Sequence, residues 1–154
     1  MGKHTAIVRW SRGDDDFAAN KHSRAHEWEF DGGLKVPASA SPDIVPLPYS
    51  VAENVDPEEA FVASISSCHM LFYLHKSRDA GFVVNSYEDE AVGVLGKNAA
   101  GRLAITRVTL NPVVSYEGPV PSAGQIEALH HEAHELCFIA NSTMTEITTN
   151  TANS

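Results

Sequence analysis

The chain lacks any long apolar run, is short of cations and carries only two cysteines. No stretch of its 154 residues approaches the roughly 20 consecutive apolar residues a membrane-spanning helix needs. Only 11 lysines and arginines stand against 20 aspartates and glutamates, a formal charge of −9. That balance excludes the concentrated basic surface on which nucleic-acid binding depends, and it argues equally against an anionic membrane surface. The opening segment MGKHTAIVRWS has neither the apolar core nor the small-residue cleavage site of a signal peptide. Ala6 stands where a myristoylation signal wants Ser or Thr. A cytoplasmic location is the expectation. In that compartment two cysteines rarely form a permanent bridge, which leaves a redox pair, a metal site or two inert core thiols.

What is present suffices for a core. With 43% hydrophobic and 20% charged residues, residues 1–154 have the size and composition of a single domain. Thr5 to Trp10 reads as a short strand, and the alternation of His22, Arg24, His26, Trp28 and Phe30 has the period of a half-buried strand. Asp31-Gly32-Gly33 predicts a tight turn into Leu34–Val36. Residues 37 to 55, with Pro37, Pro42, Pro46 and Pro48, read as an irregular excursion of a length that usually serves function. Asp56 as N-cap, Pro57 at the first helical position and Glu58 and Glu59 in the first turn then open a helix. This helix is apolar nearly all round until Lys76 and Arg78, so it is expected to be central and buried on most faces. Phe82–Leu95 and Leu103–Tyr116 read as β segments, Ser122 to about Ile139 as a second helix, and Thr143–Thr149 as a last strand. The order predicts an α+β fold with a largely antiparallel sheet.

Cys68 sits in the middle of the first helix, in SISSCHM. A buried free cysteine is most often a small hydrophobe. Here Ser64, Ser66, Ser67 and His69 put polar groups beside it, and Cys137 lies near the end of the second helix. A useful thiol needs its pKa lowered from about 8.5. The helix dipole acts only in the terminal turns, so a cation is required. Arg24 is the candidate, with Glu58 as its carboxylate partner. Glu58 and Cys68 lie about 15 Å apart along one helix, so an antiparallel copy of that helix would bring one chain's Glu toward the other's Cys. Simple N-terminal charge explains Glu58 equally well. His130, His131 and His134, with Cys137, fall at helical spacings that suit a transition metal, although an exposed histidine face is usually just solvated. Asp14–Asp16 lacks the pattern of a calcium loop and reads as a turn.

These pieces resemble one family. Asp56-Pro57-Glu58-Glu59-Ala60-Phe61, followed after six residues by Cys68, is similar to the cysteine-bearing helix of the OsmC/Ohr family. Cys137 with Asn141-Ser142 resembles its second cysteine region, and Ser23-Arg24 through Phe30-Asp31-Gly32-Gly33 its arginine strand and turn. The resemblance implies an OsmC-like fold, an intertwined homodimer and a thiol peroxidase that needs no cofactor. Cys68 would reduce an organic hydroperoxide and become a sulfenic acid, and Cys137 would close a disulfide with it. An external dithiol, often a lipoyl group in the family, would reopen that disulfide. Arg24 would hold the thiolate and Glu58 would orient Arg24. Phe61, Ile65, Leu71 and Phe72 are the expected walls of an apolar substrate pocket. Two departures stand out: Phe138-Ile139 follows Cys137 where many relatives have Pro and a polar residue, and His69 follows Cys68 where the Ohr branch has an apolar residue. The competing reading is a non-catalytic dimeric protein that uses its cysteines and the HHEAH histidines to hold a metal or small ligand.

Overall fold

The fold follows from two capped helices and from strands that break where a side chain captures the backbone. In a computed structural model that describes residues 1–154, the chain is α+β. It divides into two units, Met1–Ala60 and Phe61–Ser154.

In the first unit, β1 (Ala6–Arg9), β2 (His26–Phe30) and β3 (Lys35–Ala38) form an antiparallel sheet in the order β1-β2-β3. Gly33, at φ 84°, supplies the left-handed residue of the β2–β3 turn. The alternating pattern from His22 predicts a longer β2, but pairing begins only at His26. The residues before it are held by loops instead: the Ser23 amide donates to the Asp15 carboxylate at 2.8 Å and the Arg24 amide to the Tyr49 carbonyl at 2.8 Å. The excursion after β3 returns to it, with Ser39 donating to the Val55 carbonyl and Val55 to that of Pro37.

Helix α1 (Pro57–Asp79) starts where the sequence predicts. Asp56 accepts the Glu59 amide at 2.8 Å while Glu59 accepts the Asp56 amide at 2.8 Å, a reciprocal capping box. The boundary between the two units falls in its first turn.

In the second unit the two long β segments each break once. The first becomes β4 (Val83–Asp89) and β5 (Val92–Lys97), the second β6 (Leu103–Leu110) and β7 (Pro112–Glu117). Asp89 stands at both breaks: its carboxylate accepts the Asn111 amide at 2.6 Å and the Ser66 hydroxyl at 2.5 Å. Each half then takes its own partner, β4 with β7 and β5 with β6. Helix α2 (Ala123–Leu136) opens on a second capping box between Ser122 and Gln125. A single 3-10 turn, Ala140–Ser142, follows it, and β8 (Glu146–Thr149) closes the chain parallel to β6, an exception to the antiparallel pattern.

The burial of α1 differs from expectation. Ile65, His69, Tyr73 and Ser77, four residues apart, form one buried stripe, whereas Leu71 is 60% exposed. An apolar circumference makes a helix able to be enclosed, but this chain covers only one side of it. Ile65 packs with Val108 and Leu110, and Tyr73 with Leu129 and Ala133. The fully buried Ile65, Val108 and Leu110 side chains contribute about 1.5–3 kcal/mol each. Gly93 of β5 lets α1 approach, since a Cβ there would stand 2.4 Å from Val62 Cγ2. Gly93→Ala is therefore expected to lower stability by about 1–3 kcal/mol. The urea midpoint should drop, and Val62→Ala in the same chain should recover part of the loss. An unchanged midpoint would show that the helix shifts freely.

Candidate active site

Cys68 lies half-buried near the middle of α1, so no terminal dipole acts on it. Its thiol opens on a cavity of about 430 Å³. Ser64, Ser67, Cys68, Leu71, Phe72 and His75 line it from one face of the helix, and Phe138 and Ile139 from the segment after α2. Phe72 meets Phe138 edge-on, with ring centroids 5.1 Å apart. The cavity thus has serine hydroxyls beside the thiol, an apolar wall and a histidine further along the helix.

Cys137, the C-cap residue of α2, is 1% exposed. Burial pushes its thiol up to about 11, and the neighbouring Cys68 thiol adds to the rise. The Ala140 amide, donating to its sulfur at 3.3 Å, works the other way. Near neutral pH Cys137 is a protonated thiol. The two sulfurs are neighbours and both are free.

The four residues expected to wall the pocket separate into two groups. Leu71 and Phe72 line the cavity. Ile65 is fully buried and Phe61 packs against its cluster, so these two are core residues and not cavity wall. Phe138 and Ile139 take their place, and their position directly after Cys137 was the available signal.

Arg24 and Glu58 belong to the first unit, and no ion pair joins them in this chain. The Arg24 guanidinium donates to the His22 carbonyl and to Asn20 Oδ1, each at 2.5 Å. Those two acceptors hold the guanidinium within its own loop and leave three of its five donors free of them. Glu58 Oε2 is buried without a hydrogen-bond partner. Arg24 instead lines a cavity of about 420 Å³ together with Trp10, Phe17, His22 and His26. Phe17 stacks on His22 with centroids 4.4 Å apart, and Trp10 donates to the Ser23 carbonyl at 2.9 Å. No sequence period links Trp10 and Phe17 to Arg24, so nothing in the pattern of residues announces this aromatic wall. Asp14–Asp16 is a turn, in which the Asp16 carboxylate accepts the Ala19 amide at 3.1 Å.

The histidines of α2 do not share an exposed face. His130 is buried, His134 half-buried and His131 exposed. His130 is spent on His69, with 2.9 Å between His69 Nε2 and His130 Nδ1, and on the Ser154 hydroxyl at 2.8 Å. No group of three or more His, Cys, Asp or Glu side chains converges as a metal site would require. Burial holds both rings neutral, His69 down to about 4 and His130 to about 3.

Comparison with known proteins agrees with this architecture. A family model of OsmC-like proteins matches residues 51–152. The solved structure of an OsmC-like protein of unknown function from Vibrio cholerae O1 biovar eltor is 55% identical, with a TM-score of 0.94 over 97% of this chain and 99% of that one. Two more distant structures share the fold. An organic hydroperoxide resistance protein from Elizabethkingia anophelis is 16% identical, with a TM-score of 0.71 over 97% of this chain and 96% of that one. The organic hydroperoxide resistance protein OhrB of Bacillus subtilis is 17% identical, with a TM-score of 0.63 over 97% of each chain. No curated protein gives a significant match. With two thiols side by side, one of them open to an apolar cavity, and with this match in sequence and fold, the chain belongs to the OsmC/Ohr family.

Proposed function

We propose that the protein is a cysteine-based peroxidase that reduces organic hydroperoxides. The observation that carries this reading is the juxtaposition of Cys68, open to an apolar cavity, with the buried thiol of Cys137. The Cys68 thiolate attacks the distal oxygen of the hydroperoxide, the O–O bond breaks, and the alkoxide leaves as alcohol after taking a proton. Cys68 is then a sulfenic acid. The Cys137 sulfur attacks it, an S–S bond forms, and hydroxide leaves with the Cys137 proton as water. An external dithiol of the lipoyl kind returns both thiols by exchange. Arg24, with Glu58, is the cation that the resemblance assigns to thiolate and peroxide, and a homodimer belongs to the same reading. A second copy would cover residues such as Leu71 and Phe138, which are 60% and 70% exposed in the single chain. Leu71, Phe72, Phe138 and Ile139 favour an alkyl or aryl hydroperoxide over hydrogen peroxide, by about 0.8 kcal/mol per buried methylene.

The division of labour between the thiols gives the test. Cys137→Ser is expected to react with the first equivalent of tert-butyl hydroperoxide as fast as the natural chain and then to hold a sulfenic acid that dimedone traps. In the natural chain the same trap should capture little. Equal dimedone labelling of both proteins would remove Cys137 from the mechanism.

A further inference from the structure

The helices that carry the two cysteines are joined by a pair of buried histidines. His69, the residue after Cys68, and His130, seven residues before Cys137, meet at 2.9 Å with their ring planes within 9° of each other. Tyr73 stacks on His130 with centroids 4.1 Å apart. Beyond His130 the contact continues to Ser154, whose hydroxyl donates to the Pro112 carbonyl at 3.2 Å.

That carbonyl fixes the direction of every bond. Pro112 offers only an acceptor, so Ser154 spends its single proton there and must accept from His130 Nε2–H. A neutral imidazole carries one N–H, which leaves His130 Nδ1 as an acceptor, and His69 Nε2–H donates to it. Both tautomers are set by their partners. Neither ring is needed to attack the peroxide, and neither lines the cavity in which Cys68 lies.

We propose that the His69–His130 hydrogen bond is a positioning element for disulfide closure, holding Cys68 on α1 in register with Cys137 on α2. The inference rests on the peroxidase reading above. Closure needs the Cys137 sulfur aligned behind the S–O bond that breaks. A residue's worth of slip turns α1 by about 100°, and an ångström of misplacement can cost about a hundredfold in rate. His69 fixes that rotation one residue from the reacting sulfur. Of the two cysteines, peroxide attack uses only Cys68, so that step does not require the register with Cys137.

The test separates the two steps in a single turnover. The protein is mixed with one equivalent of tert-butyl hydroperoxide, and peroxide loss and Cys68–Cys137 disulfide formation are followed separately by acid quench and mass spectrometry. His69→Phe keeps a flat ring without the donor, and His130→Gln keeps the bond to Ser154 while losing that to His69. Both are expected to slow closure about 10- to 100-fold, with peroxide loss unchanged and sulfenic acid accumulating. His69→Gln restores a donor at the Nε2 position, and His130→Asn restores an acceptor at the Nδ1 position. These two are expected to close within a few-fold of the natural rate. Where His69→Phe fails to fold, His130→Gln carries the comparison. Closure at the natural rate in His130→Gln overturns the proposal, as does an equal slowing of both steps or a failure of both rescuing variants. If the natural chain forms no disulfide at all, the peroxidase reading falls and takes this inference with it. That outcome is distinct from a natural chain that closes and variants that close as fast.

Discussion

Cys68→Ser protein is expected to lose at least about a thousandfold in turnover of tert-butyl or cumene hydroperoxide with a dithiol, the scale seen when an enzyme's nucleophile is removed. A serine hydroxyl stays protonated near neutral pH and cannot form the sulfenic acid on which the second step depends. The loss should come without loss of fold. Cys68 is half-buried and faces a cavity, so the smaller oxygen leaves no tight packing unfilled. Circular dichroism and the urea midpoint should match those of the natural chain, within about 1 kcal/mol. Peroxide consumption by the serine variant at a tenth of the natural rate or more would mean that another group does the chemistry.

Acid should unfold the protein over a window that the buried histidine pair sets. Both rings have an ordinary value of 6.5 in the unfolded chain, and in the fold burial lowers His69 to about 4 and His130 to about 3. Between those values the unfolded chain binds protons that the folded one refuses, so stability is full above about pH 6.5 and declines as the pH falls. Each proton so excluded costs about 1.4 kcal/mol per pH unit. Over the two units below pH 6.5 that is comparable with much of the stability of a domain of this size. His130→Asn removes one of the titrating rings and keeps an acceptor for His69. Its stability, from urea unfolding at a series of pH values, should fall less steeply between pH 6.5 and 4, by about 1.4 kcal/mol per unit. Parallel slopes for the two proteins would show that the pair takes protons in the fold as readily as outside it.

Local signals were legible in the sequence and non-local ones were not. The start of α1 could be read because Asp56, Pro57 and Glu59 act within one turn of each other, and the same holds for Ser122 and Gln125 at α2. Gly81, at φ 85°, ends α1 for a reason equally local. The breaks in the β segments were invisible because Asp89 makes them by reaching Ser66 and Asn111, each more than 20 residues away. The short β2 has the same origin: the period of two continues through His22 and Arg24, but the Tyr49 carbonyl and the Asp15 carboxylate take the amides a strand would have used.

The site divides along the same line. Cys68 and Cys137 were legible as a pair because each stands on a helix with a clear start, and two such helices suggest a meeting. The walls were read only in half, since Leu71 and Phe72 share the face of Cys68 whereas Phe61 and Ile65 turn into the core. The neighbours His131 and His134 suggest an exposed cluster for His130. Its spacing from Ile126, Leu129 and Ala133 places it on the apolar stripe, and His69 holds the same place among Ile65, Tyr73 and Ser77. Two histidines on two buried stripes were the available sign that the rings meet.

The most direct test of the central claim is the mass of the intact, reduced protein after one equivalent of tert-butyl hydroperoxide, followed by peptide mapping under non-reducing conditions. A peroxidase working through Cys68 and Cys137 should lose two hydrogens in mass, yield one linked peptide joining those residues, and return to its starting mass with dithiol. An unchanged mass, or oxygen added elsewhere with both thiols still free, would contradict it.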